Sequence, residues 1–146
     1  MADMYKKGLN AQLVQNDLEN CCRGEAACIR CQGTGCAIGY AKECIQTYIK
    51  TPKKEVPEGT AHVPTMDLKL YDEGELEIAI AHILKECKDC KEDHTEDCII
   101  NVIRNCLEVG LLGDLHPYEG SALQYIMYLQ KNHPEKAVRI AETYKS

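Results

Sequence analysis

Apolar residues recur at helical spacing along most of the chain. From Gly8 to Cys21, the positions Leu9, Leu13, Val14, Leu18 and Cys21 or Cys22 mark one face of a helix. Gly24, Gly33 and Gly35 break that pattern, and it resumes from Cys36 to Ile49 through Ile38, Ala41, Ile45, Tyr48 and Ile49. Pro52, Pro57 and Pro64, with Gly59 among them, predict a loop from Thr51 to Thr65, because proline blocks helix propagation. Asp72 then reads as an N-cap, with Glu75 in the third position of a capping box. Leu76, Ile80, Ile83, Leu84 and Cys87 form the next stripe, and residues 88–97 are polar on all sides apart from Cys90. Helical spacing returns from Cys98 to Leu112, where Gly110 and Gly113 end it. A further helical region starts near Pro117 and runs through Leu123, Ile126, Met127 and Leu129. His133-Pro134 interrupts it, and Glu135 to Tyr144 forms a short terminal helix. No segment predicts a strand.

The expected fold is therefore all-α: two helical hairpins with cysteine-rich turns, packed as a small bundle of four to five helices. At 146 residues the chain fits a single domain. Residues 1–50 form the N-terminal hairpin, 51–71 a Pro-rich linker, and 72–146 the C-terminal hairpin with its terminal helices. The halves resemble one another. Cys36-Ala-Ile-Gly-Tyr-Ala-Lys-Glu-Cys44-Ile lines up with Cys98-Ile-Ile-Asn-Val-Ile-Arg-Asn-Cys106-Leu, each with its cysteines eight apart.

Composition narrows the picture. There is no Trp and no Phe, so the eight Tyr carry all aromatic area and the core must lean on Leu, Ile, Val, Ala and Cys. Metal cross-links would offset so light a core. A net charge of −6, with Lys50-Thr51-Pro52-Lys53-Lys54 as the longest basic stretch, argues against a nucleic-acid partner. No stretch approaches the roughly 20 apolar residues of a membrane span, so no membrane partner is expected. The residues after Met1 carry no signal-peptide core. The expected compartment is the reducing cytoplasm, where structural disulfides are rare.

The candidate chemistry lies in ten cysteines gathered into two clusters. A Cys-x-x-Cys pair sets two thiolates about one ion diameter apart on a turn. The second cluster holds Cys87, Cys90, His94 and Cys98. On a continuous helix Cys90 and Cys98 would stand roughly 12 Å apart, too far to share an ion. One site therefore requires the polar segment to be a turn, and the four would then form a three-thiolate, one-imidazole set. The spacing resembles a retroviral-type zinc knuckle, one residue short in each of its last two gaps and without the glycine.

In the first cluster, Cys28-Ile-Arg-Cys31-Gln-Gly33-Thr-Gly35 resembles one Cys-x-x-Cys-x-Gly-x-Gly unit of the DnaJ-type chaperone zinc domain. The resemblance covers this short unit alone. The family's other units and its His-Pro-Asp motif are absent from the sequence, so what it implies is limited to Cys28 and Cys31 as metal ligands. Cys36 and one of Cys21 or Cys22, taken as Cys22, would complete that set. Cys44 and Cys106 lie on apolar stripes and are expected to be buried as small hydrophobes. Either each cluster binds its own ion, or Cys28, Cys31, Cys87 and Cys90 join in one four-thiolate site; local turns cost less closure entropy and favour separate sites.

Thiolate-rich tetrahedra suit zinc, and four cysteines can also hold a [4Fe-4S] cluster. Zinc is preferred here for the histidine and the glycine-bearing turn. The sequence carries no phosphate-binding glycine loop, no Gly-x-Ser-x-Gly and no His-Glu-x-x-His, so a non-catalytic role is expected over an enzymatic one. His82 is expected to be a partly buried packing residue. The expectation is a zinc-stabilised helical module that contacts another protein, through the acidic second hairpin or a stripe of Tyr118, Tyr125 and Tyr128, with plain packing as the alternative for three Tyr on one helix. The alternative is an iron–sulfur protein for electron transfer or redox sensing. Oligomeric state is left open.

Overall fold

The computed structural model is all-helical, as expected, with six α-helices among its described residues: α1 (Ala11–Cys21), α2 (Ala37–Lys50), α3 (Glu73–Asp89), α4 (Ile99–Leu112), α5 (Ala122–Asn132) and α6 (Pro134–Lys145). The structure describes residues 10–21, 36–51, 53, 55–65, 73–89, 97–113 and 122–145, without the side chains of 87–89. Among these residues the one β pairing is an isolated antiparallel bridge, Glu55 to Cys98. A 3-10 turn spans Thr60–His62. No helix among them is long and apolar enough to cross a membrane.

Local chemistry explains where the helices start and stop. Cys36 and Cys98 are the N-caps of α2 and α4, both extended, with ψ 139° and 140°. Gly113 ends α4 in the left-handed conformation at φ 80°, its N–H bonded to the Val109 carbonyl at 3.0 Å. Glycine takes that conformation at no steric cost. The chain turns from α5 to α6 at His133 alone. Its N–H still donates to Leu129, while Pro134, which lacks an N–H, begins α6.

Helix α1 packs on α2 and α3, α2 on α4, and α3 on α4, which closes a ring of four. Helix α6 lies on the outside of α3, and α5 packs on α6. Two pairs of the ring run antiparallel. The Asn10 N–H, before α1, donates to Glu86 Oε1 near the end of α3 at 2.9 Å, while Asp17 meets His82 a turn earlier in α3 at 2.8 Å. Likewise α2 ends at Lys50, and five residues later Glu55 bridges to Cys98, which opens α4.

The core is aliphatic, as the lack of Phe and Trp requires. Leu18, Ile38, Ile45, Leu76, Ile80, Leu84, Ile103 and Leu107 are among its fully buried members. Helix α4 runs through its middle and is buried all round except at Gly110 and Leu112. Burial on every side is what a nearly all-apolar helix demands. Its polar residues are the surprise. Asn101, Arg104, Asn105 and Glu108, at helical spacing that ordinarily marks a solvated face, are all buried. Arg104 links them, through its two terminal nitrogens only. Arg104 donates to Glu108 Oε2 at 2.6 Å, to Asn101 Oδ1 at 2.8 Å and to Asn105 Oδ1 at 3.0 Å.

Tyr125 completes that network from α5. Its hydroxyl donates to Glu108 Oε2, and its ring lies 4.9 Å beneath the Arg104 guanidinium carbon. Tyr125 is only 2% exposed, which overturns its expected place in an outward tyrosine stripe. Tyr128 packs partly buried against the core, and Tyr118 lies outside the described residues. The described part of the Pro-rich segment is fastened across α2 and α4. Val56 N–H donates to the Asp97 carbonyl at 2.8 Å, Thr60 N–H to Asp97 Oδ1 at 3.0 Å, and the Tyr40 hydroxyl to the Gly59 carbonyl at 2.9 Å. Gly59 is close against α4: a Cβ there would stand 2.7 Å from Val102 Cγ2.

Candidate functional site

The described cysteines, Cys21, Cys36, Cys44, Cys98 and Cys106, are all buried free thiols. Two of them were expected to bind metal. Cys36 is 4% exposed and Cys98 3%, and they occupy equivalent N-cap positions. They stand on two neighbouring helices, each at the helix start. Cys87 falls in the last turn of α3, and its side chain is outside the description, as are Cys22, Cys28, Cys31, Cys90 and His94 altogether. Among the described residues no group of three or more His, Cys, Asp or Glu side chains is arranged around a metal position. Cys21, the last residue of α1, is 2% exposed and packs in the core.

Cys44 and Cys106 meet midway along the α2–α4 contact, as residues eight positions into two antiparallel helices should. They are close enough that charge on Cys44, and on Cys36, would push the Cys106 thiol up, adding to the larger effect of complete burial. Burial likewise pushes the Cys44 thiol up to about 11, with the Tyr40 hydrogen bond pulling the other way and the Glu43 carboxylate adding to the rise. Both are therefore neutral thiols near pH 7. Tyr40 is held protonated chiefly by burial, then by the negative charge a thiolate at Cys44 would bring. The Tyr40 hydroxyl also donates to the Gly59 carbonyl at 2.9 Å.

Cys44 was expected to be a core filler, and in part it is. It also forms part of the wall of a cavity of about 570 Å³ between α2, the 53–62 segment and the first residue of α4. Tyr40, Tyr48, Val56, Pro57 and Ile99 share that wall, and Glu43, Lys53, Glu55 and His62 border it with charge. The sequence carried no sign of this. The cavity arises where a proline-rich segment folds back over a helix, and neither element shows it alone.

Two further polar contacts tie helices together. His82 Nδ1 and Asp17 Oδ2 lie 2.8 Å apart between α1 and α3, giving His82 the partly buried place expected of it together with a partner that periodicity did not reveal. Burial raises the Asp17 carboxyl above its ordinary value, against the opposing pull of His82. Between α3 and α6, Glu77 accepts a two-pronged pair of bonds from Arg139, each 2.7 Å. No family model, curated protein or solved structure matches this chain.

Proposed function

We propose that this chain is a metal-binding helical protein in which each hairpin's cysteine-rich turn holds one structural zinc ion, and that it serves as a non-catalytic accessory module contacting another protein. The placement of Cys36 and Cys98 supports the reading. Each is a buried thiol at the N-cap of the second helix of its hairpin, at the foot of a cysteine cluster. Local turns cost less closure entropy than a shared site, which favours one ion per cluster. Cys36 would join Cys22, Cys28 and Cys31, and Cys98 would join Cys87, Cys90 and His94. A metal-bound thiolate at a helix N-terminus also gains from the unpaired N–H groups of the first turn.

Zinc, when bound, would supply a rigid cross-link between turn and helix. That suits a core whose one fully buried aromatic among the described residues is Tyr125. The partner would be a protein and not nucleic acid, given the net charge of −6. The same donors, taken as thiolates alone, would suit a [4Fe-4S] cluster in an electron-transfer or redox-sensing protein. One measurement separates the readings: metal and acid-labile sulfide analysis, with a visible spectrum, on protein purified without oxygen. Two zinc ions per chain and no visible absorption are expected, with Cys36→Ser and Cys98→Ser each losing one ion and sparing the other. Iron with sulfide would carry the cluster reading instead. No bound metal, with all ten thiols titratable, would overturn both.

A further inference from the structure

The cavity beside Cys44 is lined by none of the residues the metal reading takes as ligands, and it has the make-up of a ligand site. Its volume of about 570 Å³ falls inside the roughly 300–1,000 Å³ range of small-molecule pockets. Its inner wall offers little for hydrogen bonding. The Tyr40 hydroxyl is spent on Gly59 and on Cys44, and Cys44 is a neutral thiol. What remains is two aromatic rings, Tyr40 and Tyr48, together with Val56, Pro57 and Ile99. That wall suits an apolar, ring-bearing body.

The border selects the sign of charge. Among the described lining residues, Glu43 and Glu55 bring two carboxylates against the one lysine, Lys53. The His62 Nδ1–H donates to the Glu58 carbonyl at 3.0 Å. Tyrosine faces next to carboxylates are also the surroundings that recognise organic cations. We propose that this cavity binds a small organic cation, its aromatic or alicyclic body against Tyr40, Tyr48 and Ile99 and its ammonium or amidinium group between Glu43 and Glu55.

The site can be tested with a matched pair of dyes on the full chain. Thioflavin T is a ring-bearing cation, and 1-anilinonaphthalene-8-sulfonate is an anion of similar size. Thioflavin T should bind saturably at one site per chain, and more tightly than the anion. Glu43→Gln combined with Glu55→Gln should weaken it roughly fivefold or more, as loss of two exposed ion pairs implies. Thr47→Trp fills the cavity from an exposed position on α2 and should abolish binding. The native chain has no Trp, so the new indole also reports its own burial by a blue-shifted emission. Far-UV circular dichroism checks that both variants keep their helix content. The proposal is overturned if thioflavin T shows no saturable one-site binding, if the anion binds as tightly, or if cation binding survives both variants unchanged.

Discussion

Replacing Glu108 by Gln tests whether the polar stripe inside α4 is held by charge or only by shape. The change keeps size and a carbonyl oxygen that can still accept from Arg104 and Tyr125, and it removes the negative charge. Arg104 is 3% exposed and Glu108 fully buried, so the guanidinium would then sit in the core without its counter-charge. Breaking a buried pair in this way costs about 3–5 kcal/mol. The lower end applies here, because Asn101 and Asn105 keep their oxygens turned to the guanidinium. For a chain of 146 residues, about 3 kcal/mol lowers the melting temperature by roughly 10 °C. Arg104→Met should be destabilising for the converse reason, and the double variant should cost less than the sum of the singles by about 1–3 kcal/mol. Urea and thermal unfolding of the four proteins close the cycle. Because the pair is desolvated, the coupling should change little between low and high salt. Additive losses, or a Glu108→Gln cost under about 1 kcal/mol, would refute the claim that charge pairing organises this part of the core.

Gly59→Ala should cost about 1–3 kcal/mol by overpacking, since the new methyl would lie 2.7 Å from Val102 Cγ2 and 2.9 Å from Val56; Val102→Ala should recover much of the loss in the same unfolding assay. Alkylation of Cys44 by iodoacetamide, followed by peptide mass spectrometry, should accelerate with pH up to about 11, while Cys106 stays unmodified until the chain unfolds. Asp17 should oppose folding near neutral pH. Burial raises its carboxyl above 3.8, so the folded state binds that proton more tightly than the unfolded chain; the associated stability is complete at pH below that value and is lost as pH rises through the folded one. Urea midpoints of wild type should therefore fall relative to Asp17→Asn as pH rises above 3.8, and a flat difference would count against the burial.

What the chain disclosed in advance follows from what periodicity can carry. The helix from Cys36 to Ile49 and that from Cys98 to Leu112 emerge within a residue of α2 and α4, because an apolar stripe is bounded there by a proline in one case and a glycine in the other. Gly113 as a stop was legible from residue type alone. The fate of Asn101, Arg104, Asn105 and Glu108 was not. Polar residues at helical spacing predict a wet face, and only the arrival of Tyr125 from another helix makes burial tolerable. Arg104 and Glu108 four residues apart on an otherwise apolar helix were the available clue. The same blind spot hid the cavity, whose walls come from segments far apart in sequence. Tyr125 shows the opposite error: its ring suggested an interface, and in a chain without Phe or Trp the same ring was needed inside.

One cysteine spacing serves two local roles. Cys36 aligns with Cys98, and Cys44 with Cys106, in the two halves of the sequence. The first pair are N-caps, buried thiols where the chain enters α2 and α4. The second pair lie eight residues on, inside the same helices, where burial is the largest cause that pushes both thiols up. All four are buried, so depth does not divide them. Position in the helix does, and of the four it is Cys44 that lines the cavity.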